Sequence, residues 1–138
     1  MGFFTLPLAQ RFREVVAVES NRSAHQLCNR NAANARLNNI RTVCGDVEKW
    51  LRITGSIAAP AYDLILLDPP RTGAGPEVMK FLTEWAPETI VYVSCDPQTL
   101  TRDLVMLPAS DYRIDTIAGF DLFPQTYHFE TAVGLRRK

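Results

Sequence analysis

Short apolar runs alternate with amphipathic stretches along the whole chain. Val15-Val16-Ala17-Val18, Ile40 to Cys44, Tyr62 to Leu67 and Thr89 to Val93 are runs of four to six residues rich in β-branched side chains, the length and composition of buried strands. Between them lie segments with helical spacing. Leu6 to Phe12 reads as the last turns of a helix. Ser23 to Leu37 places Ala24, Leu27, Cys28, Asn31 and Ala35 on one face, with Asn21 or Ser23 as its cap. Val47 to Ile53 is a short helix, Pro76 to Trp85 a helix with proline in its first turn, and Pro97 to Leu107 a helix that Asp96 can cap. Tyr112 to Ala118 and Thr131 to Leu135 read as a terminal antiparallel pair.

This β-α-β-α alternation predicts an α/β fold built on a doubly wound sheet with right-handed crossovers. In such sheets ligands bind beyond the carboxyl ends of the strands. Glu19, Asp46, Asp68 and Cys95 each stand at such an end and are expected along one sheet edge. Cys95, in Ser94-Cys95-Asp96-Pro97, suggests a thiol nucleophile, with carboxylate helpers from Asp68-Pro69-Pro70-Arg71 and from His128-Phe129-Glu130. No repeat, linker or low-complexity segment interrupts the pattern, so residues 1–138 are expected to form a single domain.

The chain has 138 residues, enough for one core. No apolar run nears the 18 or so residues of a membrane span, and no signal-peptide pattern opens the chain, so a cytoplasmic address and no membrane partner are expected. Three cysteines without a CxxC pair argue against a disulfide framework or zinc site; Cys28 and Cys44 are expected as small buried hydrophobes. Fifteen basic residues balance fifteen acidic ones, unevenly. Residues 1–41 hold six Arg against Glu14 and Glu19, residues 42–130 hold six basic against thirteen acidic residues, and Arg136-Arg137-Lys138 ends the chain. A polyanion-binding domain usually carries a broader basic surplus. If nucleic acid is the substrate, part of the phosphate-binding surface must come from elsewhere.

Four segments carry a resemblance. Phe4-Thr5-Leu6-Pro7-Leu8-Ala9, Asp68-Pro69-Pro70-Arg71-Thr72-Gly73, the stretch Val93-Ser94-Cys95-Asp96-Pro97-Gln98-Thr99-Leu100-Thr101-Arg102-Asp103, and Asp121-Leu122-Phe123-Pro124-Gln125-Thr126-Tyr127-His128-Phe129-Glu130 resemble the RNA uracil-5-methyltransferases. That family uses S-adenosyl-L-methionine to methylate C5 of uracil in rRNA or tRNA, on a Rossmann-like methyltransferase sheet. The resemblance implies that Cys95 adds to C6 of the uracil, which makes C5 enolate-like, and that Glu130 later removes the C5 proton so that the cysteine can leave. It implies cofactor-side roles for Glu19 at the ribose hydroxyls and Asp46 at the adenine amino group. Asp68, held by its prolines, belongs with these carboxylates and by the same resemblance contacts the target base or organises the pocket. Each also has a plainer reading: Glu19 and Asp46 as helix caps, Asp68 as a turn brace, His128 as a structural loop histidine.

The chain departs from the family pattern in three ways. The Gly-rich methionine-binding turn is reduced to Gly2; the upstream RNA-binding region, OB-like or with an iron–sulfur cluster in some members, is not seen; and Asp96 follows the nucleophile where the family has Asn. Asp-Pro-Pro also resembles the motif of the amino-methyltransferases, but here Arg71 replaces their aromatic residue and Cys95 would be idle. The expected sheet therefore lacks its first strand, which would lie between the strands ending at Glu19 and Asp68. Either those two strands pair directly or the gap fills by self-association. The alternative to an enzyme is a non-catalytic scaffold of the same fold, unable to bind cofactor alone.

Overall fold

The computed structural model describes residues 1–55, 61–122, 124–125 and 129–138. The chain forms two compact units, Met1–Ile53 and Thr54–Lys138. The first contains helix α1 (Thr5–Ala9), strand β1 (Val15–Glu19), helix α2 (Arg22–Asn34), strand β2 (Ile40–Cys44) and most of helix α3 (Val47–Gly55). β1 and β2 pair in parallel, with Val15 beside Ile40 and Glu19 beside Cys44. Asn21, extended at φ −76°, caps α2 by accepting from the Ala24 N–H. Ala24, Cys28 and Ala32 form the buried face of α2; Leu27 and Ala35, expected on it, are exposed. The Asn39 side chain donates to the Ala9 and Phe12 carbonyls at 2.7 and 2.9 Å, tying the end of α1 to the start of β2.

The second unit holds β3 (Leu64–Leu67), α4 (Gly75–Trp85), β4 (Thr89–Ser94), α5 (Pro97–Leu104), β5 (Tyr112–Phe120) and β6 (Glu130–Arg137). Its sheet has the order β3-β4-β6-β5, with β3 and β4 parallel and the β4–β6 and β6–β5 pairs antiparallel. The core lies on one face. Ile90 and Tyr92 of β4 and Val133 and Leu135 of β6 pack with Met79 and Leu82 of α4, Leu100 of α5, Leu107 and Tyr112. β4 alternates between half-buried and buried residues along its length, the period-two mark of a sheet packed on one side.

The strands thus form two sheets. Among the described residues β1 pairs only with β2, and β3 only with β4; β1 and β3 do not pair with each other. Direct closure of the gap is therefore not the outcome, and the four carboxyl-end residues expected on one sheet edge divide between two sheets. β3, expected to be covered on both faces, is half-buried throughout, as suits a strand with one partner. Cys28 is buried as expected, but Cys44, last in β2, is exposed. No helix among the described residues is long and apolar enough to cross a membrane.

Candidate active site

Strand β4 ends at Ser94, whose hydroxyl donates to the Asp96 carbonyl at 2.8 Å and accepts from the Asp96 N–H at 3.1 Å. The chain thereby turns sharply over Cys95, which is half-buried. Asp96 caps α5: its Oδ1 accepts from the Gln98 and Thr99 N–H groups at 2.9 and 3.0 Å. Those bonds, that of Thr99 foremost, and the nearby Arg71 charge hold the Asp96 carboxyl below the usual carboxylate range. Asn and Asp cap helices about equally well, so either residue after Cys95 can serve this cap.

The antiparallel register of β4 and β6 pairs Val93 with Ala132 and Ser94 with Thr131. One step further along both chains stand Cys95 and Glu130. The pairing itself ends at the Ser94–Thr131 rung, with Cys95 just past the end of β4 and Glu130 the first residue of β6. Glu130 is half-buried and pairs on its other side with Phe120 of β5. Phe129, just before it, lays its ring over Gly119, where a Cβ would strike the ring. A thiol and a carboxylate 35 positions apart in the sequence are thus brought to the end of one ladder. His128 lies outside the described residues, as do Phe123, Thr126 and Tyr127 of the same motif.

The loop after β3 carries Asp68 and Arg71, both exposed. It closes on itself through the Gly73 N–H, which donates to the Pro70 carbonyl at 2.8 Å, with Gly73 at φ +82°. Beyond that point it is anchored by residues that the sequence reading left without a role. Asp103 of α5 is fully buried. Its Oδ2 accepts from the Tyr92 hydroxyl at 2.6 Å, the Ala74 N–H at 2.7 Å and the Gly75 N–H at 3.3 Å. Its Oδ1 accepts from Arg102 Nε and Nη2 at 3.0 and 2.7 Å, and Nη2 also donates to the Thr72 carbonyl at 2.8 Å. Burial acts to raise the Asp103 pKa, but the donors, Tyr92 and Arg102 first among them, outweigh it and leave it below its ordinary value. The Tyr92 phenol is pushed far up, by burial first and then by its bond to Asp103. A signal existed in the sequence: Leu100, Asp103, Leu104 and Leu107 share one helical face, and a carboxylate inside an apolar stripe demands buried donors.

In the first unit, Glu19 ends β1 and is half-buried, and Asp46 follows β2 and is exposed. Both carry local structural duties. Glu19 Oε1 accepts from the Asn21 N–H at 2.7 Å, bracing the turn into α2, and Asp46 Oδ1 accepts from the Lys49 N–H at 2.9 Å at the start of α3. Glu19 also lines a small cleft with Gly2, Thr5, Val18, His25 and Cys28. A carboxylate has roughly four lone-pair sites, so one bond to an N–H leaves capacity for hydroxyl donors. Among the described residues no cluster of His, Cys, Asp and Glu could hold a metal ion.

The family model for tRNA (Uracil-5-)-methyltransferase matches residues 1–138, the whole chain. The chain belongs to this family. A Thermotoga maritima protein called an uncharacterized RNA methyltransferase is 47% identical over 135 residues, covering 98% of this chain and 30% of the relative. The 23S rRNA (uracil(1939)-C(5))-methyltransferase RlmD of Aeromonas hydrophila is 41% identical over 139 residues and 31% of its length. The crystal structure of Pyrococcus abyssi tRNA (uracil-54, C5)-methyltransferase, solved in complex with S-adenosyl-L-homocysteine, superposes with a TM-score of 0.83 at 34% identity, over 97% of this chain and 31% of that one. The chain therefore spans about 30% of the length of the relatives it matches. A Streptococcus thermophilus rRNA methylase, at 12% identity and a TM-score of 0.70, shares the fold alone. The expected Rossmann-like methyltransferase fold with its C-terminal antiparallel pair is the one observed.

Proposed function

We propose that residues 1–138 form the catalytic domain of an RNA (uracil-5-)-methyltransferase that uses S-adenosyl-L-methionine and acts on rRNA or tRNA. The observation that supports this most strongly is the β4–β6 pairing, whose last rung, Ser94 with Thr131, leaves Cys95 and Glu130 each one residue beyond it at the same end of the ladder. The family model runs through both compact units, which supports reading them as one catalytic domain.

Uracil C5 is too weak a nucleophile to take a methyl group unaided. In this reading the Cys95 sulfur forms a bond to C6, and the electron pair of the C5–C6 double bond moves onto the ring as an enolate. When bound, the cofactor supplies an electrophilic methyl group for C5. Glu130 then accepts the C5 proton, the double bond re-forms, and the C6–S bond breaks to return the thiolate. Covalent catalysis of this kind splits one difficult step into easier ones. The target uridine has to leave its stack to reach a loop nucleophile. Glu19, at the carboxyl end of β1 beside its cleft, is assigned to the ribose hydroxyls, and Asp46 to the adenine amino group. Asp68 is assigned to the pocket that the base and the transferred methyl share.

Two measurements test this. Calorimetric titration of S-adenosyl-L-methionine into the 138-residue chain should give saturable heat that Glu19→Ala weakens. Heat unchanged by that substitution would remove Glu19 from the site, and none at all would favour a scaffold without cofactor binding. RNA carrying 5-fluorouridine should then trap a covalent adduct, because fluorine at C5 blocks the proton abstraction assigned to Glu130. Among the described residues β1 and β3 each have one paired edge, and their other edges support self-association. Light scattering tests it, and a monomer at working concentration speaks against it.

A further inference from the structure

A buried carboxylate that only had to be neutralised would need one cation. Asp103 has Arg102, and beyond it draws donors from two other elements: the hydroxyl of Tyr92 in β4 and the backbone N–H groups of Ala74 and Gly75. Arg102 reaches past Asp103 to the Thr72 carbonyl. The loop that begins with Asp68 is therefore held at Thr72, Ala74 and Gly75, three of four consecutive residues. Gly73, the fourth, lies so close that a Cβ would come within 2.5 Å of Arg102 Nη2 and 2.6 Å of Asp103 Oδ2. Only glycine permits both that approach and its φ of +82°.

The other end of this clamp is α5, whose first turn is capped by Asp96, the residue after Cys95. Arg71, from the loop, bears electrostatically on Asp96. The loop and the Cys95 turn are thus tied to one another through α5 and not merely neighbours in sequence order. Bonds to a buried charge are short and strong, and a network satisfied in every member fixes one geometry. No buried side-chain polar atom among the described residues lacks a partner.

We infer that Asp103, with Arg102 and Tyr92, is a positioning residue that sets the Asp68–Gly75 loop in one orientation relative to Cys95, so that Asp68 and Arg71 meet the uracil-bearing nucleotide in register with the thiol. This role rests on the function proposed above. Asp103 touches neither base nor cofactor in it and acts through the loop.

The test compares Asp103→Asn and Arg102→Gln with the unaltered chain. The second variant sits at a half-exposed side chain and guards against loss of fold in the first. Hydrogen exchange should speed up at the Ala74 and Gly75 amides while those of Ile90 and Tyr92 stay protected. Adduct formation with 5-fluorouridine RNA, expressed per folded molecule, should slow by about 100-fold, the order expected for a displacement near 1 Å in a reacting pair. Alkylation of Cys95 by iodoacetamide should keep its original rate, since the thiol itself is untouched. A merely structural role would change the folded fraction and leave the rate per folded molecule alone. Wild-type adduct rates in both variants, with the loop amides exchanging faster, would overturn the inference while leaving the function standing. Adduct formation that survives Cys95→Ala, or none with the unaltered chain, would overturn the function and this role with it.

Discussion

Removing one oxygen from the centre of the second unit gives a sharp measure of how much the loop clamp contributes. Tyr92→Phe keeps the ring, which is fully buried among Met79, Leu82, Ile90, Leu100 and Val133, so apolar packing changes little. The hydroxyl alone is lost, and with it the 2.6 Å bond to Asp103 Oδ2 and the 3.0 Å bond accepted from the Ala74 N–H. Ala74 still has Asp103 as acceptor at 2.7 Å, so no donor is orphaned. Asp103 keeps Arg102, Ala74 and Gly75. The loss should therefore be close to that of one hydrogen bond to a charged group, about 2 kcal/mol, and not the 3–5 kcal/mol of a broken buried ion pair. Urea unfolding at pH 7, followed through Trp85 fluorescence in a Trp50→Phe background, should show the midpoint falling by about 1 M with an unchanged slope. A double-mutant cycle with Asp103→Asn should give a coupling energy of about 1–3 kcal/mol. A loss below about 0.5 kcal/mol, or no coupling, would mean that the hydroxyl does not serve the network and that the clamp reasoning is wrong.

Further outcomes follow from the same contacts. Gly73→Ala should cost at least about 1 kcal/mol from the left-handed backbone alone, with additional loss because its Cβ meets Arg102 and Asp103; a thermal melt unchanged from the original would refute the tight approach. Cys95→Ala should abolish adduct formation on ordinary and fluorinated RNA. Glu130→Gln should instead accumulate the adduct on ordinary RNA, seen as a protein–RNA band on denaturing gels, and free turnover by that variant would remove Glu130 from the proton step. Asp96 and Asp103 are lowered in the fold, so the stability they contribute is present above the ordinary carboxylate value near about 4 and is lost as pH falls through their depressed values. Tyr92 and Tyr112 are raised, so their contribution is present below about pH 10 and is lost as pH climbs toward their folded values. Urea midpoints across pH should be flat in between, and Asp103→Asn should blunt the acid limb.

Local pattern was enough to define the elements and the chemistry at their ends. Apolar runs at Val15–Val18, Ile40–Cys44 and Thr89–Val93 became strands because β-branched side chains fit a pleated, half-buried surface, and the caps at Asn21 and Asp96 formed because their side-chain oxygens lie within reach of the next free N–H groups. Those signals are local, and so is the Ser-Cys-Asp-Pro turn. Pairing between distant segments came only with folding. The division of the strands into two sheets, the exposure of Cys44 and the placing of Cys95 and Glu130 at the same end of the β4–β6 ladder all depend on which strand lies beside which, a matter no periodicity encodes. The Asp103 clamp lies between these cases. Its odd carboxylate was visible on an apolar helix face, but its donors come from a strand and a loop up to 29 residues away, and a hydrogen bond across that separation is legible only once the chain has folded.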